Sequence, residues 1–279
     1  MFKRKALLPI LAAVISALFI SCGSSGSTSV INTIPDFDLD SNDLHLIHMD
    51  LDEIAEHDAY SEAAEGISYY FDIDYYLGFN LVNVDEVSEF TSIDCSAYDM
   101  DALEFVTDTD AEEIREYLSD NGYEKSEIEG IEVWTEDDYS LAFLGSGRYL
   151  TSTTETVTEF LKAQKDKGNT LNDEYAGLAK IIGAVENAPL FELRVPGWRQ
   201  LESKLRAVSY VVEGDSSNVE VYDLYQNDER TSAAIETVES QLKQLEESEY
   251  WENISFEGFS DTVVLIKFEG VPDFSDVRL

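Results

Sequence analysis

Hydrophobic and polar residues alternate along several short segments, and this pattern predicts β-strands. Leu44–Asp50 alternates in this way, and Ala102–Val106 is a second predicted strand. Gly145-Ser-Gly147 separates two such runs and predicts a turn between antiparallel strands. The remaining predicted strands are Ile128–Thr135, Ser140–Leu144, Arg148–Ser152, Leu190–Val195, Val208–Val212, Val219–Tyr225 and Thr262–Phe268.

Apolar residues spaced three and four positions apart predict helices between these strands. Asp110 and Ser152 each stand three residues before a Glu, which is the capping-box pattern that opens a helix. Further helices are predicted from Asp58 in two pieces to Leu77, over Leu171–Val185 and Trp198–Leu205, and from near Asp228 with Ile235, Val238, Leu242 and Leu245 on one stripe.

This order of elements predicts an α+β fold. We expect two α/β sandwich units with largely antiparallel sheets and with helices packed on one face. The predicted units are an acidic domain over residues 36–166 and a second domain over residues 171–279, joined near Lys165–Thr170. The second half repeats the pattern of the first, which suggests an internal duplication.

The amino terminus has the pattern of an export signal. Three basic residues, Lys3, Arg4 and Lys5, precede an apolar run of about 15 residues, as in signal peptides. The run is short for a membrane span, which needs about 20 residues, and Pro9 would kink it. Residues 1–21 are therefore predicted to be a signal peptide, and the Gly- and Ser-rich residues 22–35 a flexible tether.

Leu18-Phe19-Ile20-Ser21-Cys22 resembles the lipobox of bacterial lipoproteins, although Phe19 stands where that family usually has Leu. The resemblance implies that Cys22 is acylated and anchors an exported body to the cell membrane or outer membrane, facing away from the cytoplasm. Two alternatives are an uncleaved signal anchor and a secreted protein in which Cys22 is a plain thiol. Cys95 is expected to be a buried, inert thiol.

The chain is strongly acidic, with 58 acidic and 18 basic residues and a net charge of −40. Removal of residues 1–21, which carry three basic residues and no acidic one, would make the charge −43. Residues 22–114 contain 24 acidic residues and no Lys or Arg, whereas residues 160–206 have a net charge of +2. Such a charge excludes a nucleic-acid partner, because nothing could neutralise a phosphate backbone.

Three interpretations of the acidic surface stay open. It could be a solvated, salt-tolerant exterior, it could condense divalent cations on the first half, or it could receive the basic segment 160–206. Asp36, Asp38, Asp40 and Asp43 imitate the start of a calcium loop, but an EF-hand is excluded because Ser41 and Ile47 replace its Gly and Glu. A looser calcium site at this turn could also use Asp50 or Asp52.

Aromatic residues alternate with carboxylates around Tyr69, Tyr70, Tyr75 and Tyr76. Such a set could bind a cationic ligand, a peptide stem or a sugar. Aromatic residues at helical spacing are also typical of a hydrophobic core, which is the competing interpretation.

The sequence contains no catalytic pattern that can be recognised. The three histidines are His45, His48 and His57, and the first two should point to opposite faces of a strand. No G-x-S-x-G motif is present, so a nucleophilic hydrolase has no support. Two cysteines cannot build a four-thiolate zinc site. We therefore expect a protein that is not an enzyme and has no cofactor, with Ca²⁺ as the one possible ion.

The stretch from Leu103 to Leu161 resembles secreted or lipid-anchored bacterial proteins of the DUF3352 kind. The resemblance is carried by Gly122-Tyr123 after a helix, by the strand Gly130-Ile-Glu-Val-Trp134, and by Leu77–Asp85, where Asn80 replaces the usual Asp. It implies a fold and an address outside the cytoplasm and no catalytic residues.

Together these features predict a lipid-anchored cell-envelope protein acting as a binding or scaffolding module. Its expected contacts are the membrane, through the lipid, and an envelope protein or the cell wall. The alternative is a lipoprotein that binds a solute or a divalent cation in the acidic first domain or in an interdomain cleft.

Overall fold

The structure of the protein is a computed structural model. It describes residues 34, 44–56, 60, 86–95, 100–166, 177–185, 188–194, 203–213, 216–225, 230–236 and 254–269.

Twelve strands and four helices have defined bounds in this part of the chain. The strands are β1 Leu44–Asp50, β2 Val87–Cys95, β3 Met100–Thr107, β4 Glu124–Ile128, β5 Ile131–Glu136, β6 Tyr139–Gly145, β7 Arg148–Thr153, β8 Leu190–Arg194, β9 Leu205–Glu213, β10 Ser216–Leu224, β11 Ile254–Ser260 and β12 Val263–Phe268. The helices are α1 Leu51–Glu56, α2 Ala111–Asp120, α3 Thr154–Asp166 and α4 Leu178–Val185. Residues 230–236 are also helical.

All twelve strands belong to one antiparallel sheet, which confirms the α+β class. The strand order is β11-β12-β10-β9-β8-β1-β2-β3-β7-β6-β5-β4. β1 pairs with β2 on one side and with β8 on the other, so the sheet runs without a break through strands of both predicted domains. The two predicted domains, residues 36–166 and 171–279, therefore contribute strands to one continuous sheet.

Helices cover both faces of the sheet, so the expectation of helices on one face is wrong. On the first face, Leu46 and Leu193 pack in one cluster with α3 and α4, through residues such as Phe160 and Ile181. Met49 points to the second face. The cluster there contains Ile54 of α1, Ile114 and Leu118 of α2, and Ala234 of the helical segment 230–236. The physical reason is that the central strands carry apolar residues at both odd and even positions, and both faces must be covered.

The two halves of the sheet share part of their strand order. β1, β2 and β3 form a meander, α2 follows, and the chain returns so that β7 lies beside β3. β8, β9 and β10 form a second meander, helical residues 230–236 follow, and β12 lies beside β10. α2 and residues 230–236 also cover the same face.

All nine predicted strands are present, with shifted ends, whereas β2, β4 and β11 were not predicted. The predicted strand Ile128–Thr135 begins three residues late, as β5 at Ile131, because residues 129 and 130 form the turn of the β4–β5 hairpin. That hairpin turns at Glu129 and Gly130, both with positive φ (54° and 87°). Gly145-Ser-Gly147 is the predicted turn, between β6 and β7. Leu205 begins β9 and does not end a helix.

Helix starts follow local capping chemistry. Asp110 caps α2 by accepting a hydrogen bond from the Glu112 backbone N–H at 2.9 Å, as the sequence predicted. α3 begins one residue later than the capping box at Ser152 implied, because the Thr153 hydroxyl accepts from the Thr156 N–H. Apart from Tyr60, which is helical, the predicted helix from Asp58 to Leu77 lies outside the described residues, as do most of the linker and residues 195–202.

Two glycines of the α4 region should respond in opposite ways to substitution by alanine. Gly183 lies on the exposed side of α4, and a Cβ there would meet no atom within 4 Å. Gly183→Ala should raise the free energy of unfolding by about 1 kcal/mol, because Ala loses less backbone entropy in a helix. Chemical denaturation of both proteins measures the difference.

The matched variant is Gly177→Ala, just before α4. A Cβ at Gly177 would lie 2.4 Å from Leu224 Cδ1 and 2.9 Å from Thr262 Oγ1. This overpacking should lower the unfolding free energy by about 1–3 kcal/mol. Equal effects of the two substitutions would contradict the packing of α4 on β10 and β12.

Candidate functional site

The carboxyl end of β1 brings acidic residues of three elements together. α1 begins directly after Asp50, whose Oδ1 caps the helix by accepting from the Glu53 backbone N–H at 3.0 Å. Ile54 is the one buried residue of α1, which leaves its acidic side chains exposed. Asp50 also lies directly opposite Glu89 of β2, so two carboxylates face each other across the ladder.

These residues line a cleft of about 410 Å³, which we call the acidic cleft. Its lining residues are Asp50, Asp52, Glu53, Glu56, Ser88, Glu89 and Val106. Five of the seven are acidic and none is basic. The cleft is built from the segment that contains no Lys or Arg, so its negative charge follows directly from the sequence. Carboxylates in a concave surface concentrate cations near them.

Arg148 of β7 reaches Glu89, one of the residues that line the acidic cleft. Arg148 lies opposite Val106, and Val106 lies opposite Glu89, so the guanidinium reaches across one strand. Its Nη1 donates to Glu104 Oε1 at 2.6 Å, and its Nη2 lies 3.7 Å from Glu89 Oε2. Glu104 is only 2% exposed. Removing one partner of such a buried pair lowers the free energy of unfolding by about 3–5 kcal/mol. Arg148 therefore stabilises the strands next to the acidic cleft.

His48 lies on the same face of the sheet as Asp50 and Glu89. It is two residues before Asp50 on β1, directly opposite Thr91 of β2. The ring is 4% exposed, its Nδ1 is 2.9 Å from Thr91 Oγ1, and it packs against Phe191 at 5.1 Å between centroids. Burial, and then the charge of Arg148, lower the pKa of His48 to about 4. His48 is therefore neutral at pH 7, as a structural core residue.

The opposite face carries a second set of paired charges. His45 Nε2 lies 2.6 Å from Glu192 Oε1, and Arg206 makes two bonds of 2.8 and 2.9 Å to Asp223. Burial raises the pKa of Glu192, but the hydrogen bond from His45 and the charge of Arg194 outweigh it, so the pKa is lowered. His45 and His48 thus point to opposite faces, as predicted, and no metal site joins them.

Most residues that the sequence singled out lie outside the described residues. These are Cys22, Asp36, Asp38, Asp40, Asp43, His57, Tyr69, Tyr70, Tyr75 and Tyr76. Asp50 and Asp52, which were named as additional calcium ligands, are described and line the acidic cleft. Glu53, Glu56 and Glu89 were not predicted as site residues. The charge pattern could have indicated them, but only the pairing of β1 with β2 brings Glu89 to the cleft.

The described residues hold neither a metal-binding cluster nor a membrane-spanning helix. Within those ranges, no group of three or more His, Cys, Asp or Glu side chains has the spacing of a metal site. None of the helices in the same ranges is both long and apolar enough to cross a membrane.

No protein-family model matches the chain, and no curated protein matches it. Among solved structures, crystal form I of TP0453 has a TM-score of 0.48 at 6% identity, covering 89% of this chain and 94% of that chain. Crystal form IV of TP0453 has a TM-score of 0.46 at 7% identity, with 86% and 92% covered.

The low pKa of His48 predicts an acid-sensitive component of stability. The unfolded chain takes up this proton near pH 6.5, whereas the folded chain takes it up only near pH 4. The contribution of His48 to the free energy of unfolding is therefore constant above pH 6.5. It falls by about 3 kcal/mol as the pH drops to 4. The native chain should lose this stability on acidification, whereas His48→Gln should not. The difference between their unfolding free energies should therefore narrow by about 3 kcal/mol between pH 6.5 and pH 4.

Denaturant unfolding at several pH values measures this gap. The control is His45→Gln on the same strand, because the half-buried His45 contacts Glu192 on the opposite face of the sheet and not Arg148. A gap for His48→Gln that stays constant from pH 7 to pH 4 would show that His48 is not buried as a neutral ring.

Proposed function

We propose that the protein is a non-enzymatic, lipid-anchored component of the bacterial cell envelope that acts as a binding or scaffolding module. The lipobox-like segment ending at Cys22 carries the proposal of an anchor. The acidic cleft carries the proposal of a binding role, because it is a concave, charged surface on a rigid sheet.

The architecture supports a binding or scaffolding role. The broad sheet is packed with apolar residues on both faces, and the buried carboxylates of Glu104 and Asp223 pair with Arg148 and Arg206. Such a body resists deformation and can present a surface at a fixed place. We further propose that the repeated strand order reflects two α/β units, over residues 36–166 and 171–279, which would be joined through β1 and β8. The likeness to proteins of the DUF3352 kind is part of the same proposal.

The anchor is tested by labelling cells with radioactive palmitate. The native chain should incorporate label and fractionate with membranes, and Cys22→Ser should lose the label and the membrane association. Cys95→Ser is the matched control, since it removes the other thiol and should leave both properties unchanged. Label that persists in Cys22→Ser, or a native chain found in the cytosol, would contradict the proposal.

A second candidate function is the binding of a cationic solute in the acidic cleft. Five carboxylates around about 410 Å³ are too dispersed for one bare ion, since Ca²⁺ needs six to eight oxygens at about 2.3–2.6 Å. They suit an organic cation with several separated charges, such as a polyamine or a basic peptide. On this proposal Ca²⁺ acts only through ionic strength.

Melting temperatures of the full chain in mild detergent test the cleft. Spermidine or pentalysine should raise the melting temperature saturably beyond NaCl of matched ionic strength, and CaCl₂ should not. Asp52→Asn, Glu53→Gln and Glu56→Gln together should abolish the extra rise. These three residues are exposed and do not include the capping Asp50.

The control for that triple variant removes the same charge from α2. Its changes are Glu113→Gln, Glu116→Gln and Asp120→Asn, all at exposed positions. The control should keep the response to the organic cation. Equal loss in both triple variants would assign the response to net charge, and a saturable response to CaCl₂ alone would favour a metal site.

A further inference from the structure

β4 ends the sheet and has one side without a neighbouring strand among the described residues. It lies last in the strand order and pairs only with β5. Glu124, Lys125, Ser126 and Glu127 are exposed, and Ile128 is half-buried. An edge strand offers a row of backbone N–H and C=O groups that can pair with another strand.

The sequence of β4 is self-complementary in the antiparallel direction. If two copies pair about a two-fold axis at Ser126, Lys125 of each copy lies directly opposite Glu127 of the other, and the two Ser126 residues face each other. Opposite charges directly across a ladder stabilise pairing, and a shift by two residues in either direction places two Lys125 or two Glu127 side chains opposite each other. We propose that β4 is the contact through which two copies of this chain associate, continuing the sheet from one copy into the next.

The charges next to β4 favour this occupant. Glu127 lies opposite Glu132 of β5, so each copy has two carboxylates directly across the ladder. Glu132 is already bound by Arg115 Nε at 2.9 Å, Lys125 Nζ at 3.1 Å and Trp134 Nε1 at 2.8 Å. In the paired arrangement, Lys125 of the second copy lies beside Glu127 and extends the alternation of charge along this row.

The side chains that matter lie on one face. Lys125 faces Trp134 across the β4–β5 ladder, with Nζ 5.7 Å from the ring centroid, and Glu127 points to the same side. In the dimer, four side chains therefore lie side by side across the joined sheet. They are Trp134 and Lys125 of one copy, followed by Glu127 and Glu132 of the second copy. A cationic peptide would pair with Glu127 but would repel Lys125, which is why a second copy fits the strand better than a basic partner.

Disulfide trapping tests this geometry in the full chain. Ser126→Cys, in a Cys95→Ser background, should form a disulfide-linked dimer on mild oxidation of the purified chain in detergent, because directly opposite residues lie within bridging distance. Glu124→Cys is the matched control. It is exposed on the same strand, but the two-fold axis places it opposite Ile128 of the second copy, so it should form little dimer.

A charge exchange in the Ser126→Cys background tests the specificity. Lys125→Glu or Glu127→Lys should each lower dimer formation about tenfold, because both symmetric pairs become repulsive together. The double variant Lys125→Glu with Glu127→Lys restores both pairs and should restore the dimer. Melting curves of each variant separate loss of pairing from loss of folding.

Three results would overturn the proposal. The first is that folded Ser126→Cys forms no disulfide-linked dimer. The second is that Ser126→Cys and Glu124→Cys form equal amounts of dimer. The third is that the single charge variants dimerise as well as their Ser126→Cys parent. The second result would mean random collision, and the third would mean that β4 pairs without the Lys125–Glu127 contact.

Discussion

The pairing of β1 on both of its edges holds the sheet together. All seven residues of β1 lie opposite β2, and five of them also lie opposite β8. The Asp50 N–H extends the second ladder by donating to the Pro189 carbonyl at 2.7 Å. Without β1, two long edges would expose their backbone groups to water, and the apolar clusters of both faces would lose the strand that connects them. The rest of the fold depends on this one seven-residue segment.

β1 also determines where charge can lie. Its interior positions are apolar on both faces, so its polar groups are either paired inside the sheet, as His48 is with Thr91, or placed at its end, as Asp50 is. The few basic residues are largely used in ion pairs within the fold. Among the described residues this holds for Arg115, Lys125, Arg148, Lys162, Lys165, Arg194, Arg206 and Lys267. The remaining surface is therefore acidic, and the acidic cleft is the concave part of that surface.

Local pattern was a good guide where the physical cause is local. Alternation along Leu44–Asp50 and the apolar run at Leu190 correspond to β1 and β8, and Asp110 caps α2 through a bond made within its own turn. It failed for β2, where Val87–Cys95 mixes Ser, Glu, Thr and Asp with apolar residues and becomes a strand because it pairs with β1 and β3. It also failed at residues 128–135, since the turn at Glu129 and Gly130 depends on positive φ that Glu rarely adopts.

The sequence by itself determined the acidic character of the chain, the antiparallel α+β class and the absence of basic residues around Asp50. These follow from composition and from periodicity, which act within a few residues. Only the tertiary structure decided that one sheet spans both halves, that helices cover both faces, and that Glu89 and Arg148 meet at the acidic cleft. Those features depend on which strands lie side by side, and strand order is set by long-range pairing that no local pattern encodes.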